Sequence, residues 1–533
     1  MTTVKHYDFD VVIIGSGPAG VSSAFPLLQA GLRVLMVDGG HEPRVAAPAG
    51  QFLDLRRHDE TQWRWMIGQD FHALRQTDAV SPKLRTPTHA AVFEDFAQAN
   101  RIIADQYIAV GSLAPGGLSN AWGCGVACLD DEELRQFPVP LEEMYRSYET
   151  VSKRIGISGK ADDDLSDFFG LNSWSQPPVE MDVLQAGLLA RYTDHRQAHL
   201  QRGFVLGRSR VAVLTESHNG RQPCDRSGNC LWGCHRRALY SASDELASLR
   251  KYPGFNYEPG FVVDALFSHD GTVVIEGAGA TGRRTIRSSR VMLAAGTIAS
   301  TRLALKAINH RAAITLQACP TAAFLLWLPR HLGRKHDAAF GLGQLSFALE
   351  LEKRTRGFGS LFSTTGIPVT EFARHMPLGK RYAVDVLASL LSSCVVGNLF
   401  LPGELSDVVL HLDADDQLVI RGGYRADAIS MMSKAQKVLR SSFLRLGAVM
   451  MPTSFNVGSP GSDIHYAASL PMREAPVIGE TNTHGELLGA PGIHVVDGAS
   501  LSALSAKSHT LTIMANADRI ARFVAQVGRT VKK

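Results

Sequence analysis

The chain has 533 residues, of which 45% are apolar and 20% charged, and its net charge at neutral pH is +4. That composition excludes a disordered or collagen-like chain, and the length allows either three to four units of about 150 residues or one large two-part enzyme. The charge is spread along the chain, and its densest basic stretch, residues 282–290, alternates like the solvated face of a strand, so no nucleic-acid surface is expected.

The first ten residues carry neither an apolar signal core nor a twin arginine, which makes a cytoplasmic location the default expectation. The most apolar later stretches, residues 322–328 and 386–397, fall short of the roughly 18–20 residues of a membrane span and read as buried core. Seven cysteines, an odd number, argue against a disulfide framework.

The first element is the β-branched run Phe9–Ile14, which reads as a buried parallel strand. It enters the turn Gly15-Ser16-Gly17-Pro18-Ala19-Gly20. Residues 21–30 then have helical spacing, Gly31 ends the helix, and residues 33–37 form a second apolar strand closing on Asp38. Each glycine has a physical role: Gly15 permits the tight turn, Gly17 lets backbone approach a pyrophosphate, and Gly20 lets the helix pack on the strand. The helix N-terminus attracts phosphate charge. Asp38 follows Gly20 by 18 residues, near the spacing of about 20 for an acid that holds a ribose. The unit is expected to bind a dinucleotide. No second glycine fingerprint follows, so one retained FAD fits better than the two sites of a disulfide reductase.

Next comes the glycine-rich loop Pro115-Gly116-Gly117-Leu118-Ser119-Asn120-Ala121-Trp122-Gly123, which could lay amides against a planar ring. The spacing Cys224-x5-Cys230-x3-Cys234 could gather three thiolates on one metal. Zinc with His235 is one reading, although adjacent Cys-His ligation is awkward. Three reduced, buried cysteines are another. Residues 257–266 and 272–276, joined by His269-Asp270-Gly271, resemble a hairpin. Residues 291–300 read as a buried strand ending in small residues, with a helix over 301–308. Between 309 and 455, strand-like pieces such as 344–350 and 418–420 mix with a helical 429–446, a pattern expected of a sheet-and-helix cap. Near the end, His465 lies in a loop of small residues, residues 492–496 form a strand ending at Asp497, and His509 leads an apolar helix reaching about residue 524. A His pair flanking a strand-to-helix turn is a candidate for acid–base work.

This ordered set resembles the glucose–methanol–choline (GMC) oxidoreductase family of FAD enzymes. The residues that carry the resemblance are Gly15, Gly17, Gly20 and Asp38; Gly116, Gly117 and Ser119; Ala295, Gly296 and Ser300; His465, Ala468, Ser469 and Met472; and Asp497 through Ser500 before His509. The resemblance implies a mixed α/β (α+β) fold in which a Rossmann-like FAD-binding domain carries a GMC-type antiparallel-sheet-plus-helix substrate domain. Residues 1–160, 221–308 and 456–533 would form the first and 161–220 with 309–455 the second. It implies FAD held by the amino-terminal glycines, Asp38, the loop Gly116, Gly117, Ser119 and Asn120, and Asp497. The FAD would be non-covalent, because the loop offers no histidine at Ala121.

The resemblance further implies oxidation of an alcohol, of a sugar or polyol, with His465 as the base, hydride transfer to flavin N5, and His509 orienting the substrate oxygen. The cysteine loop is similar to that of bacterial FAD-dependent sugar dehydrogenase subunits of this family, which implies a [3Fe–4S] cluster on Cys224, Cys230 and Cys234. With a cluster, electrons would pass to a partner; without one, the electron acceptor could equally be oxygen, as in an oxidase. Oxygen, a quinone, or a cytochrome or small subunit are the acceptors considered, and export with a signal-bearing partner is compatible with the resemblance. A GMC-fold lyase with structural FAD and a non-catalytic flavin module are the rival readings. Departures are Asp38 for a common Glu, Ala468 for a usual Gly, and His235 for a proline.

Overall fold

The computed structural model describes residues 7–75, 81–170, 174–352, 355–373 and 378–531. In Phe9–Ile14, Val11 and Ile13 face one apolar core and Val12 and Ile14 another, as the two-residue period of a strand requires when both faces are covered. This strand lies between Val34–Asp38 and the second half of Gly282–Leu293, parallel to both. Phe255–Pro259 adds a further parallel strand beside Val34–Asp38, and Ile493–Val495 pairs in parallel with residues 291–293.

The first half of Gly282–Leu293 departs from this parallel core. It pairs antiparallel with Thr272–Gly279, which pairs in turn with Val262–His269. Asp270 and Gly271, at φ +46° and +69°, supply the two left-handed residues of a tight hairpin turn. The hairpin's first strand begins later than its sequence predicts. The chain breaks at Gly260 (φ +77°), and Tyr257 belongs to the parallel strand Phe255–Pro259 because its register with Val34–Asp38 is set there, closed by the Phe261 amide donating to the Asp38 carbonyl at 2.9 Å.

Helices Pro18–Gln29, Leu141–Ile155, Ala242–Leu249 and Thr510–Val531 cover one face of the parallel core. Helix Thr297–Ala307 and the hairpin cover the other. The expected Rossmann-type domain is therefore present. A five-stranded sheet of Tyr466–Ala467, Ile314–Ala318, Val408–Leu412, Leu418–Arg421 and Ile102–Asp105 extends that second core.

The last large sheet is antiparallel, in the order Val449–Met450, Thr321–Trp327, Cys394–Phe400, Arg356–Ser363, Gly343–Glu350 and Phe204–Arg208. Its alternate residues Leu345, Phe347, Leu361, Val395 and Leu399 bury against helices Val183–Asp194 and Ala426–Arg445. The intervening residues Ser346, Phe358, Ser360, Phe362, Val396 and Asn398 face a cavity. The stretch 386–397 is not uniformly core: it divides between the end of helix Lys380–Leu390, where Val386 is exposed, and the buried strand Cys394–Phe400. The amphipathic spacing of a surface helix was hidden there by its continuity with a strand. Among the described residues no helix is long and apolar enough to cross a membrane.

Candidate functional site

A cavity of about 480 Å³ runs from the amino-terminal glycine turn to the antiparallel sheet. At its first end, Gly15 (φ +102°) and Gly20 are fixed by close packing. A Cβ on Gly15 would stand 2.2 Å from the Ala294 carbonyl oxygen, and one on Gly20 would stand 1.9 Å from that of Gly15. Gly17 differs: a Cβ there would meet only the Gly117 Cα, at 3.9 Å, so the turn is open where a ligand would lie. Gly17 also caps helix Pro18–Gln29 without any side-chain hydrogen bond, leaving first-turn amides for an anion.

The Asp38 carboxylate accepts from Tyr257 Oη at 2.9 Å, from the Gly40 amide at 2.9 Å and from Ser16. Burial raises its pKa, and these donors oppose that shift. Ser16 Oγ also accepts from the Gly116 amide at 3.0 Å, which ties the second glycine loop to the first. The open turn, the helix N-terminus and the oriented acid fit a dinucleotide.

Within the second loop, Gly117 approaches Gly17 and lines the cavity with Ser119. Ser119 Oγ accepts from the Ala242 amide at 2.8 Å and donates to the Gly116 carbonyl. Asn120 does not line the cavity. Its Nδ2 donates to the carbonyls of Pro115 and Gly117 at 2.8 and 2.9 Å, and its Oδ1 accepts from the Ser241 and Ser243 hydroxyls. The side chain of Asn120 thus shapes the loop.

Asp497 is buried, accepting from the Gly296 amide at 2.9 Å, the Ala499 amide at 3.0 Å and Ser300 Oγ. It joins the last strand to the start of helix Thr297–Ala307. Burial pushes its pKa up from 3.8 to about 6, against those hydrogen bonds. A folded-state pKa above the unfolded one means that Asp497 contributes stability fully below about pH 4 and loses it as the pH rises through 6. Asp497→Asn is expected to remove this dependence, so that wild type loses about 3 kcal/mol relative to the variant between pH 4 and 7. Paired urea-denaturation midpoints across that range test it, and a wild-type advantage growing with pH would contradict it.

The structure brings His465 and His509 together at the cavity wall, with ring centroids 5.3 Å apart and planes at 67°. His465 Nδ1 lies 2.9 Å from the Asp463 carbonyl oxygen. That oxygen can only accept, so Nδ1 carries the proton and Nε2 the lone pair. Phe400 packs against the same ring at 4.3 Å. Ile464, immediately before it, holds φ +62°, a strained backbone for a β-branched residue of the kind that collects at functional sites. Ala468, at φ +61°, occupies the same left-handed region that the usual glycine would enter without strain. Burial lowers the pKa of both imidazoles; that of His509, repelled also by His465, falls to about 3. The Nδ1 of His509 is buried without a hydrogen-bond partner among the described residues.

Sequence reasoning did not reach the far wall. Ser209, Ser346, Ser360 and Asn398 form a hydrogen-bonded ladder across neighbouring strands, with hydroxyls 2.8 and 3.0 Å apart and the Ser360 amide donating to Asn398 Oδ1 at 2.8 Å. The two-residue period of residues 344–350 was the available signal, but which face meets the cavity depends on the helices behind the sheet. Lys83 was missed as well.

Cys224, Cys230 and Cys234 pack in one apolar cluster with Cys124, Phe340 and Leu342. Burial pushes the Cys224 thiol up to about 11 and the Cys230 thiol higher still. Among the described residues no three His, Cys, Asp or Glu side chains converge as metal ligands, and His235 Nε2 instead lies 3.4 Å from Asp225. Nothing among the described residues supports the [3Fe–4S] or zinc expectation for Cys224, Cys230 and Cys234. The loop sets Cys230 into the wall against Gly341, and close spacing in sequence did not produce a common centre.

Residues 9–82 match the family described as Pyridine nucleotide-disulphide oxidoreductase. No curated protein matches the chain by sequence. Among solved structures the chain is similar to pyridoxine 4-oxidase from Mesorbium loti, with a TM-score of 0.59 and 13% identity over 97% of this chain and 99% of that one. At that identity the likeness is one of fold. The family match covers the glycine turn, the first helix and Asp38, the part of the chain whose geometry fits a dinucleotide.

Proposed function

We propose that the protein is an FAD-dependent enzyme that oxidises an alcohol group, of a sugar or polyol, and passes the electrons to an acceptor other than NAD. The observation that carries this reading is the pair of neutral imidazoles on the cavity wall, one of them fixed with its Nε2 lone pair free. FAD, when bound by Gly15, Gly17, Asp38, Gly117 and Asp497, supplies the acceptor for the two electrons of the alcohol carbon. His465 Nε2 takes the hydroxyl proton; Nδ1 keeps its own proton, donated to the Asp463 carbonyl, and the nearby Asp463 charge favours the imidazolium so formed. His509 orients the substrate oxygen. Phe358, Phe362, Val396 and Phe400 exclude water around it. The serine hydroxyls of the ladder each keep hydrogen-bonding capacity beyond the bonds they make to one another, which suits a polyhydroxylated substrate.

Anaerobic titration of the FAD-loaded protein with candidate alcohols tests the proposal. Bleaching of the flavin bands is the expected result, whereas product formation without bleaching would mean lyase chemistry. Because burial lowers the His465 pKa from 6.5, with Asp463 opposing in part, the rate of bleaching is expected to be full near neutral pH. It should fall only as the pH drops below 6.5 and the base is protonated. A stopped-flow pH profile checks this, and an acid limb centred above 6.5 would contradict it.

A further inference from the structure

Lys83 lies in the short helix Pro82–Arg85 and lines the cavity. Among the described residues its ammonium donates to one group, the Trp122 carbonyl. Among the described residues no carboxylate lies within ion-pair distance of it, in contrast to the cavity's arginine, Arg210, which is bound by Asp163 at 3.2 Å. An ammonium has three donors, so two remain for a ligand. Burial without a counter-ion disfavours the ammonium and lowers the Lys83 pKa, and an anion arriving in the cavity would offset that cost.

The position of Lys83 defines what such an anion belongs to. Lys83 donates to the Trp122 carbonyl and has the Cys124 and Cys230 thiols as neighbours, whereas His465 is held by the Asp463 carbonyl, the Phe400 ring and His509. Cys230 adjoins Gly341, at the sheet end of the cavity, away from the Asp38 end. The ammonium and the imidazole pair therefore occupy different parts of one wall. A substrate could place an anionic group on Lys83 and still present a hydroxyl to His465.

We propose that Lys83 is the anion-binding residue of the substrate pocket, and that the alcohol oxidised here carries a carboxylate or a phosphate. This rests on reading the cavity as the pocket of an alcohol-oxidising enzyme. Charge-assisted hydrogen bonds in a partly desolvated site give at least a tenfold preference for the charged over the neutral ligand.

The test is calorimetric titration of the FAD-loaded protein with D-glucitol, D-gluconate and D-glucitol 6-phosphate, which share a polyol chain and differ in charge. One of the two anions is expected to bind at least about tenfold more tightly than D-glucitol, and which one it is identifies the group as carboxylate or phosphate. Lys83→Met should abolish the preference, and Lys83→Arg should keep most of it. Equal binding of the neutral and charged probes, a preference that survives in Lys83→Met, or no saturable binding of either anion would overturn the proposal. Binding requires no turnover, so the two readings fail separately. Flavin bleaching by neutral alcohols without anion preference overturns only the role of Lys83. Lysine-dependent anion binding without bleaching by any alcohol overturns only the oxidation.

Discussion

Replacing His465 by alanine is expected to slow flavin reduction by the alcohol substrate by about 10²–10⁴-fold, the ordinary contribution of a positioned general base. The magnitude follows from geometry. His465 is held by the Asp463 carbonyl on one side and the Phe400 ring on another, so its lone pair needs no reorientation before accepting the proton. His509 cannot replace it, because burial and the neighbouring ring hold its pKa near 3 and make it a far weaker base. FAD content should be unchanged, since neither His465 nor Phe400 belongs to the glycine turn or the Asp38 end. Imidazole added to the His465→Ala protein should restore part of the rate. Rapid-mixing measurements under anaerobic conditions, with the flavin spectrum before mixing as the control for cofactor content, decide the matter. An unchanged rate would assign the proton to another group and remove the observation on which the proposed function stands.

Gly20→Ala is expected to have the second large effect, on cofactor retention and stability together. A methyl group there would stand 1.9 Å from the Gly15 carbonyl oxygen and 3.4 Å from Ile13. The first of these neighbours is backbone, so relief requires the helix Pro18–Gln29 to lift from the strand or the turn to open. Overpacking that moves side chains costs about 1–3 kcal/mol, and displacing backbone in a buried turn should reach or exceed the upper end of that range. The same displacement would move the first-turn amides away from the position where they meet a phosphate. The variant should therefore lose FAD on gel filtration and unfold at lower denaturant than wild type. Gly17→Ala makes an informative companion, because its methyl meets only Gly117 at 3.9 Å. It should leave the apoprotein's stability nearly unchanged and weaken only FAD binding. Equal loss of stability in both variants would contradict the separate roles given to the two glycines.

The amino-terminal site was legible in the sequence because everything it needs is local. A β-branched run, three glycines at fixed spacing, a helical stretch and an acid lie within 30 residues, from Phe9 to Asp38, and each acts through backbone dihedrals and helix ends that neighbours in sequence determine. Asp497 was legible for a similar reason, at the end of a short apolar strand. The cysteine loop shows the limit of the same logic. Close spacing brought the thiols into one cluster, but whether they meet as ligands depends on the wall they pack into, which is built from Phe340 to Leu342.

What only the tertiary structure decided is the far side of the cavity. Ser346, Ser360 and Asn398 come from three strands and Ser209 directly follows a fourth; their adjacency follows from sheet pairing, and which face they occupy follows from the helices that bury the alternate residues. Lys83 lies in a short helix with no periodic signal, and that no carboxylate among the described residues pairs with it is a property of its surroundings. The meeting of His465 with His509, 44 residues apart in the chain, belongs to the same class. Residue type and spacing determine local conformation and which groups can do chemistry; which of those groups share one cavity is settled by long-range packing, because burying the apolar faces of sheets and helices selects the neighbours.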